Sequence, residues 1–305
     1  MSNYITSIAG IAVVFLLLAS AVSADTAFPV LLSPEQLAEY EDALSLVDVR
    51  SEAHFQAMRI PGAVSLPLGA FRVARGGVPG MLPAPDALNK LLSERGIRKE
   101  RPVVVYGANS SPREVIGVAR VFWALEAQGY PRVAILDGGL SRWVSENRET
   151  SSGVSEALPS AEEVVEAPEK RLALAEKSDV ARTLEATNGA VLVDARPADH
   201  YSGAAPVRGL PRAGHIPGAR NIPYSEVFTM PHAMFKAASE LEPLLYADDI
   251  TRDTEIIVYC NSGLFSSAIY FAYRLLGHER IANYDGGMFE WAADEALPVS
   301  TSAAP

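Results

Sequence analysis

The sequence predicts an α/β protein in which one unit occurs twice, each time around a mainly parallel sheet. Short apolar runs typical of buried strands alternate with segments of helical spacing, and this alternation favours parallel strands joined by helices. The same ordered set of motifs also appears once in each half of the 305-residue chain. The composition is 49% hydrophobic and 21% charged, which is ordinary for a globular protein of two domains.

The internal repeat consists of four motifs in a fixed order. The matching segments are 45–55 with 190–201, 59–67 with 215–223, 101–130 with 254–279, and 133–146 with 281–294. The second pair, for example, has RIPGA in one copy and HIPGA in the other, and the fourth has LDGG and YDGG. Four matches in one order indicate a duplicated domain.

Individual elements of the first copy follow from local signals. Ser33–Gln36 form a capping box with proline in the first turn, which predicts the start of a helix. The apolar runs Leu44–Val49 and Val133–Leu136 predict strands, and the spacing of Arg113–Gln128 predicts a helix.

We divide the chain into residues 1–24, 25–148, 149–174 and 175–305. Most of the third segment is rich in Ser, Glu, Ala and Pro without periodicity, which is typical of a linker. It separates the two copies of the repeated unit.

The first 24 residues predict a signal peptide. Ile8 to Ala21 are almost wholly apolar, and Val22-Ser23-Ala24 fits a small-residue cleavage site. An uncleaved anchor is the alternative, although the apolar run is short for a membrane span. We expect a periplasmic or secreted protein with no stable membrane insertion after cleavage.

Composition narrows the choice of partners and chemistry. The formal net charge of −11 argues against a nucleic-acid partner. Cys260 is the only cysteine, so an internal disulfide is impossible. In an exported protein, such a thiol is either buried and inert or reactive and used.

The surroundings of Cys260 favour a reactive thiol. The predicted strand Glu255–Tyr259 ends at Cys260, and a helix is predicted over Ser266–Leu276. Backbone N–H groups of a tight loop, together with a helix N-terminus, stabilise a thiolate without any side-chain charge. The predicted loop comprises Asn261, Ser262, Gly263, Leu264, Phe265 and Ser266. In the first copy, Gly107 stands at the position of Cys260, so we expect that copy to lack catalysis.

The LVDAR, GHIPGA, strand–Cys–loop and YDGGxxEW motifs together resemble the rhodanese family of sulfurtransferases in its tandem form. The resemblance implies two tandem rhodanese-like doubly wound α/β domains with mainly parallel sheets. It implies that Cys260 carries a persulfide, taken from a small anionic donor and passed to a thiol or cyanide acceptor. It also implies that no cofactor and no metal is needed.

The resemblance leaves the donor open between 3-mercaptopyruvate, which is slightly favoured, thiosulfate and another persulfide donor. Thiosulfate enzymes of the family place basic residues directly after the cysteine, whereas Asn261 and Ser262 stand there in this chain. The CNSG loop matches the mercaptopyruvate pattern at Ser262 and Gly263, and Arg208 matches the Arg that holds the substrate carboxylate.

Two positions depart from the mercaptopyruvate pattern. His200 stands where the family has a second substrate-binding Arg. Arg59 stands where the first copy is expected to supply a His, and it cannot act as a base, although it can supply a cation to the donor. We therefore predict Arg208, His200, Ser262 and Arg59 as substrate-binding residues.

Two further interpretations concern the same residues. A cysteine phosphatase needs an Arg six residues after the cysteine. Ser266 stands at that position, which argues against phosphatase chemistry. A non-catalytic carrier or sensor that hands its persulfide to a protein partner is the remaining alternative.

Asp194 and Arg196 recur in the first copy as Asp48 and Arg50, so we expect each pair to be architectural.

Overall fold

A computed structural model describes residues 28–40, 43–154, 173–185, 189–229, 234–247 and 250–301. The predicted signal peptide and most of the predicted linker lie outside the described residues, so both stay predictions. Within the described part of the chain, none of the helices has the length and apolar character needed to span a membrane.

The described residues form a regular series of strands and helices. The strands are β1 (Leu31–Leu32), β2 (Ser45–Asp48), β3 (Val64–Ser65), β4 (Val73–Arg75), β5 (Val78–Met81), β6 (Val103–Tyr106), β7 (Val133–Leu136), β8 (Leu174–Ala175), β9 (Val191–Asp194), β10 (Arg220–Asn221), β11 (Phe228–Thr229), β12 (Met234–Phe235), β13 (Ile256–Tyr259) and β14 (Ile281–Tyr284). The α-helices are α1 (Pro34–Glu39), α2 (Glu52–Ala57), α3 (Pro85–Glu94), α4 (Pro112–Ala127), α5 (Gly139–Ser145), α6 (Lys177–Leu184), α7 (Ala198–Ser202), α8 (Ala238–Leu245), α9 (Ser266–Leu275) and α10 (Gly287–Trp291).

The two copies have the same topology, which confirms the duplication. The first sheet has the strand order β1-β7-β6-β2-β3, and the second has the corresponding order β8-β14-β13-β9-β10. Every strand pair within these two sheets is parallel. Each copy also has a small antiparallel hairpin, β4-β5 in the first and β11-β12 in the second. The central strands are therefore β6 and β13.

Alternating residues of the central strands pack on opposite faces of each sheet. In β6, Val103 and Val105 belong to one core cluster, and Val104 and Tyr106 belong to another. The same alternation separates Val258 from its neighbours in β13. Burial on both faces accounts for the continuous apolar runs in the sequence and confirms the doubly wound arrangement.

The predicted start of the first helix is confirmed in atomic detail. The Gln36 N–H donates to Ser33 Oγ at 3.2 Å, and the Ser33 N–H donates to Gln36 Oε1 at 2.9 Å. Pro34 occupies the first turn, where the missing N–H of proline costs no hydrogen bond.

The two copies share one hydrophobic core. The helices that follow the central strands, α4 and α9, pack against each other, and residues of both copies belong to the same cluster. Phe122 and Phe271 meet edge to face with ring centroids 4.9 Å apart. At the end of the contact, Glu126 accepts a hydrogen bond from the Tyr270 hydroxyl at 2.6 Å and pairs with Arg274 at 3.1 Å. The copies therefore stabilise each other.

We expect Phe271→Ala to reduce the free energy of unfolding by about 3–5 kcal/mol, because it leaves a cavity in the shared core. Val144→Ala, at a side chain that is 41% exposed, is the control and is expected to change stability by less than about 0.5 kcal/mol. Urea unfolding followed by tryptophan fluorescence measures both. Two well-separated transitions in the unaltered protein, one for each copy, would contradict a shared core.

Candidate active site

Cys260 lies where parallel-sheet proteins place their functional groups. It follows β13, which is hydrogen-bonded to β9 on one side and β14 on the other, at the carboxyl end of the sheet. The residue is only 1% exposed and belongs to the shared core cluster. Its thiol is thus held in a dry and well-defined position.

The loop after Cys260 has the geometry of an anion cradle. The carbonyl oxygens of Cys260 and Asn261 accept hydrogen bonds from the N–H groups of Met288 and Phe289 at 2.8 and 3.1 Å. Within the described part of the chain, by contrast, the N–H groups of residues 261–265 have no hydrogen-bond acceptor. Curved main chain with free N–H groups stabilises a negative charge at its centre.

Further contacts fix the predicted loop residues. Gly263 has φ +68°, and a Cβ at this position would clash with Arg120 Nη1 from the first copy. Phe265 stacks on Tyr224 with ring centroids 4.4 Å apart, and Leu264 packs against the shared core. The glycine is therefore required twice, by its backbone conformation and by the close approach of a guanidinium.

A serine and an asparagine control the proton nearest to the sulfur. Ser266 Oγ lies 3.5 Å from Cys260 Sγ and 2.7 Å from Asn283 Oδ1. The Asn283 amide donates to the Gly263 carbonyl at 3.0 Å, which directs its oxygen towards Ser266. A hydroxyl has one proton to donate, and the shorter contact indicates that the Ser266 O–H donates to Asn283 Oδ1. In the resting site, Ser266 can accept from the thiol, and after ionisation it can turn its proton to the thiolate.

An ion pair from the first copy supports the loop from behind. Arg120 of α4 pairs with Asp285 at 2.7 Å, with side-chain exposures of 0% and 2%. Arg120 Nη2 also donates to the Gly80 carbonyl at 3.0 Å, and its guanidinium lies over the Trp123 ring at 4.6 Å. Asp285 accepts a further bond from the Leu82 N–H at 2.7 Å.

The first copy also brings a second arginine to the site. Arg72 precedes β4, and a Cβ placed on Gly80 would lie 3.1 Å from Arg72 Nη2 and 3.0 Å from Ser262 Oγ. Burial lowers the pKa of the Arg72 guanidinium, the neighbouring Arg120 cation lowers it further, and the charge of Cys260 acts in the opposite direction. The hairpin β4-β5 thus faces the cysteine loop.

Two predicted substrate residues lie on the second copy, and within the described structure neither forms a hydrogen bond or ion pair with Cys260. His200 is half-buried on α7, and its Nδ1 has no hydrogen-bond partner among the described residues. Arg208 is exposed in a turn closed by the Leu210 N–H and the Val207 carbonyl at 3.0 Å. The adjacent Gly209 points towards Phe289, the residue that binds the Asn261 carbonyl. Their roles in donor binding stay predictions.

The structure does not bring Arg59 to the cysteine loop. Its backbone N–H donates to Ser151 at 2.8 Å, Nη1 donates to the Gly153 carbonyl at 2.7 Å, and the guanidinium lies over Phe55 at 4.8 Å. Phe55 belongs to the core on the opposite face of the first sheet from the shared core that contains Cys260. Arg59 is engaged in holding the end of its own domain, whereas Arg72 and Arg120 are the first-copy arginines beside the cysteine loop.

The Asp–Arg pairs are architectural in both copies. Arg196 pairs with Asp194 at 2.6 Å and donates to the Gly214 carbonyl at 2.7 Å, and Arg50 pairs with Asp48 at 2.6 Å. Burial disfavours the Arg196 cation, but the charge of Asp194 and its hydrogen bonds outweigh burial and raise the pKa of Arg196. Each pair fixes the chain where it leaves a strand.

The first copy is closed to a thiol at the corresponding position. Gly107 follows β6 as Cys260 follows β13, and its carbonyl accepts from the Leu140 N–H at 2.9 Å. A Cβ on Gly107 would lie 2.9 Å from Val118 Cγ2. The valine side chain fills the space that a cysteine would need.

Sequence reasoning missed Arg72 and Arg120, although one signal was available. Arg120 interrupts the apolar run of α4, VIGVARVFWAL, and a charge inside a buried helix requires a partner. Arg72 has no comparable signal, because it belongs to none of the repeated motifs. In the described ranges, no three His, Cys, Asp or Glu side chains are grouped so that they could hold a metal ion.

Comparison with known proteins agrees with this geometry. A family model described as "Rhodanese-like domain" matches residues 33–146 and residues 176–294. The chain belongs to the rhodanese family. The match covers both copies of the rhodanese-like domain.

Three relatives illustrate the range of names within the similarity. The 3-mercaptopyruvate sulfurtransferase of Escherichia coli K12 is 31% identical, over 79% of this chain and 82% of the relative. A putative thiosulfate sulfurtransferase of Synechococcus elongatus is 31% identical, over 85% and 80%. The sulfur carrier protein TtuD of Thermus thermophilus is 34% identical, over 69% and 75%.

We expect Asp285→Asn to reduce the free energy of unfolding by about 3–5 kcal/mol, because it leaves the Arg120 charge buried without its partner. The matched control is Asp137→Asn at the same motif position in the first copy, where the partner Arg142 is 37% exposed. The control is expected to cost about 1 kcal/mol or less. Equal losses in the two variants, measured by urea unfolding, would contradict a special role for the pair between the copies.

Proposed function

We propose that this protein is a sulfurtransferase that moves a sulfane sulfur from a small anionic donor, through a persulfide on Cys260, to a thiol or cyanide acceptor. The observation that carries the proposal is the single buried cysteine inside a loop whose N–H groups of residues 261–265 lack acceptors in the described structure. The sulfurtransferase names of two relatives support sulfur transfer.

The first half-reaction charges the enzyme. The Cys260 thiolate attacks the outer sulfur of the donor, a new S–S bond forms, and the bond between that sulfur and the rest of the donor breaks. With thiosulfate, the electron pair leaves on sulfite. With 3-mercaptopyruvate, the electron pair of the broken C–S bond passes to the methylene carbon. This carbon takes up the proton of the donor's own S–H group, and the product is pyruvate. The enzyme then holds a persulfide anion.

The second half-reaction restores the thiolate. Cyanide or a thiol attacks the terminal persulfide sulfur, the S–S bond breaks, and its electron pair returns to Cys260. The products are thiocyanate or the persulfide of the acceptor. The loop amides stabilise the negative charge on the sulfur in each state, because their dipoles are fixed before the reaction starts.

The side chains around the loop have distinct roles in this proposal. Ser266 is positioned to donate to the thiolate or the persulfide, since a rotation of its hydroxyl turns the O–H from Asn283 Oδ1 to the sulfur. Ser262 donates a hydrogen bond to the donor or to its leaving group. Arg208 and His200 bind the carboxylate when the donor is 3-mercaptopyruvate, because an Arg presents a planar fork to a carboxylate.

A carrier that hands its persulfide to a protein partner is the second candidate, favoured by the relative named as a sulfur carrier protein. The two functions share the charged state and differ in the discharge step. Multiple turnovers with a small donor and cyanide indicate the enzyme. Stoichiometric charging without turnover, followed by release to a protein, indicates the carrier.

We expect Cys260→Ser to abolish turnover, with a loss of at least about 10³-fold, because serine is a far weaker nucleophile at neutral pH. Mass spectrometry of the unaltered protein after incubation with donor is expected to show the added mass of one sulfur atom on the peptide containing Cys260. Ser110→Ala, in the corresponding loop of the first copy, is the control and keeps full activity. Turnover that survives in the serine variant would end the proposal.

We expect Arg208→Ala to raise the KM for 3-mercaptopyruvate by about tenfold, which corresponds to one lost charge-assisted contact. The KM for thiosulfate is expected to change less, because thiosulfate has no carboxylate. Steady-state assays with both donors measure the difference, with Arg212→Ala as a control, since the Arg212 guanidinium is occupied by the carbonyls of Ala292, Leu297 and Asp294. An unchanged KM for 3-mercaptopyruvate would exclude Arg208 as the carboxylate ligand.

A further inference from the structure

We propose that Arg72, in the hairpin of the non-catalytic copy, binds the anionic group of the sulfur donor and so determines which reagents reach Cys260. The proposal rests on the proposed function for the identity of the anion as a sulfur donor. Its structural basis is the close approach of the hairpin β4-β5 to the cysteine loop.

Gly80 lies where the hairpin of the first copy approaches the cysteine loop of the second closely enough to leave no room for a side chain. The point where a Cβ would stand on Gly80 is 3.0 Å from Ser262 Oγ and 3.1 Å from Arg72 Nη2. Gly80 has φ +80°, which favours glycine, so the position is kept free of a side chain by the backbone as well. One hydroxyl and one guanidinium therefore converge on the same point from opposite sides of the domain interface.

The Arg72 charge has no protein counter-ion in the described ranges. No carboxylate there lies within ion-pair distance of its guanidinium, and its Nε is buried without a hydrogen-bond partner. Its charged neighbours are Arg120, Arg113 and Cys260. Arg120 differs in this respect, because it is neutralised by Asp285. A half-buried cation that faces a nucleophile without a counter-ion is complementary to an anionic ligand.

The chemistry of this position suits an oxyanion next to the transferred sulfur. A guanidinium fork binds the oxygens of a sulfonate or a carboxylate, and the Ser262 hydroxyl can donate to a third oxygen. The loop itself supplies no cation, since residues 261–266 are uncharged. The charge that the cysteine loop lacks is thus supplied by the other copy of the repeat.

Alkylation of the single cysteine tests the anion site without any sulfur transfer. Iodoacetate and iodoacetamide have nearly the same shape and differ in charge, and Cys260 is the only thiol in this chain that they can label. We expect the ratio of the rate constants, iodoacetate over iodoacetamide, to fall about tenfold in Arg72→Met, which keeps the apolar stem and removes the charge. Arg72→Lys is expected to retain part of the ratio, because it keeps the charge but not the fork.

The ratio separates anion binding from other effects. A change in the fraction of thiolate alters both rate constants equally and cancels. Arg75→Met, on the same hairpin but facing a cavity beside Lys177 and Asp294, is the matched control and leaves the ratio unchanged. An equal ratio in Arg72→Met and the unaltered protein would overturn the proposal.

Steady-state kinetics then identify the donor. We expect Arg72→Met to raise the KM for the donor by about tenfold, whereas discharge of the preformed persulfide by the neutral thiol dithiothreitol keeps its rate. The larger increase, with thiosulfate or with 3-mercaptopyruvate, shows which anion lies at Arg72. A loss of the discharge rate instead of an increase in KM would contradict the proposal. The alkylation ratio can fall in Arg72→Met even if no donor forms a persulfide on the unaltered protein. That combination would support the anion site and overturn the proposed function.

Discussion

The buried ion pair between Arg120 and Asp285 is the constraint on which the site depends. The two charges come from different copies, and both are removed from water. Desolvation of a lone charge at this depth costs several kcal/mol, so each charge requires the other in a fixed geometry. The same two side chains also bind the Gly80 carbonyl and the Leu82 N–H, which sets the hairpin of the first copy against the cysteine loop of the second.

The two copies share a scaffold but differ in the residues that they contribute to the site. Both copies retain the strand order, the Asp–Arg pair at the end of β2 or β9, and the glycine turn that binds the loop carbonyls. They differ at the end of the central strand, where Gly107 and Val118 close one site and Cys260 opens the other. In our proposals the first copy contributes the Arg72 cation and the hairpin β4-β5, and the second contributes the Cys260 nucleophile and the loop N–H groups.

Sequence reasoning succeeded where a signal was local or repeated. The capping box at Ser33, the strand that ends at Tyr259 and the parallel order of the sheets follow from short-range patterns and from the duplication. Arg72 could not be found this way, because its position depends on how a non-repeated hairpin docks on the other copy. Arg59 was assigned by alignment with a family His, but spacing along the chain cannot show that its guanidinium binds the Gly153 carbonyl. His200 and Arg208 lie in the second copy, as expected. The directions of their side chains could not be predicted, because they depend on turns that carry no periodic signal.

The presence of a single thiol also determines how this protein responds to oxidants. Peroxide converts a thiolate to a sulfenic acid, which many proteins reduce again by forming a disulfide with a neighbouring thiol. These 305 residues contain no second cysteine, so Cys260 cannot recover by forming a disulfide within the chain. Its side chain is 1% exposed, and that shielding is what limits over-oxidation. A resting enzyme that already holds its extra sulfur would expose a replaceable atom to the oxidant and keep the protein's own atom unharmed.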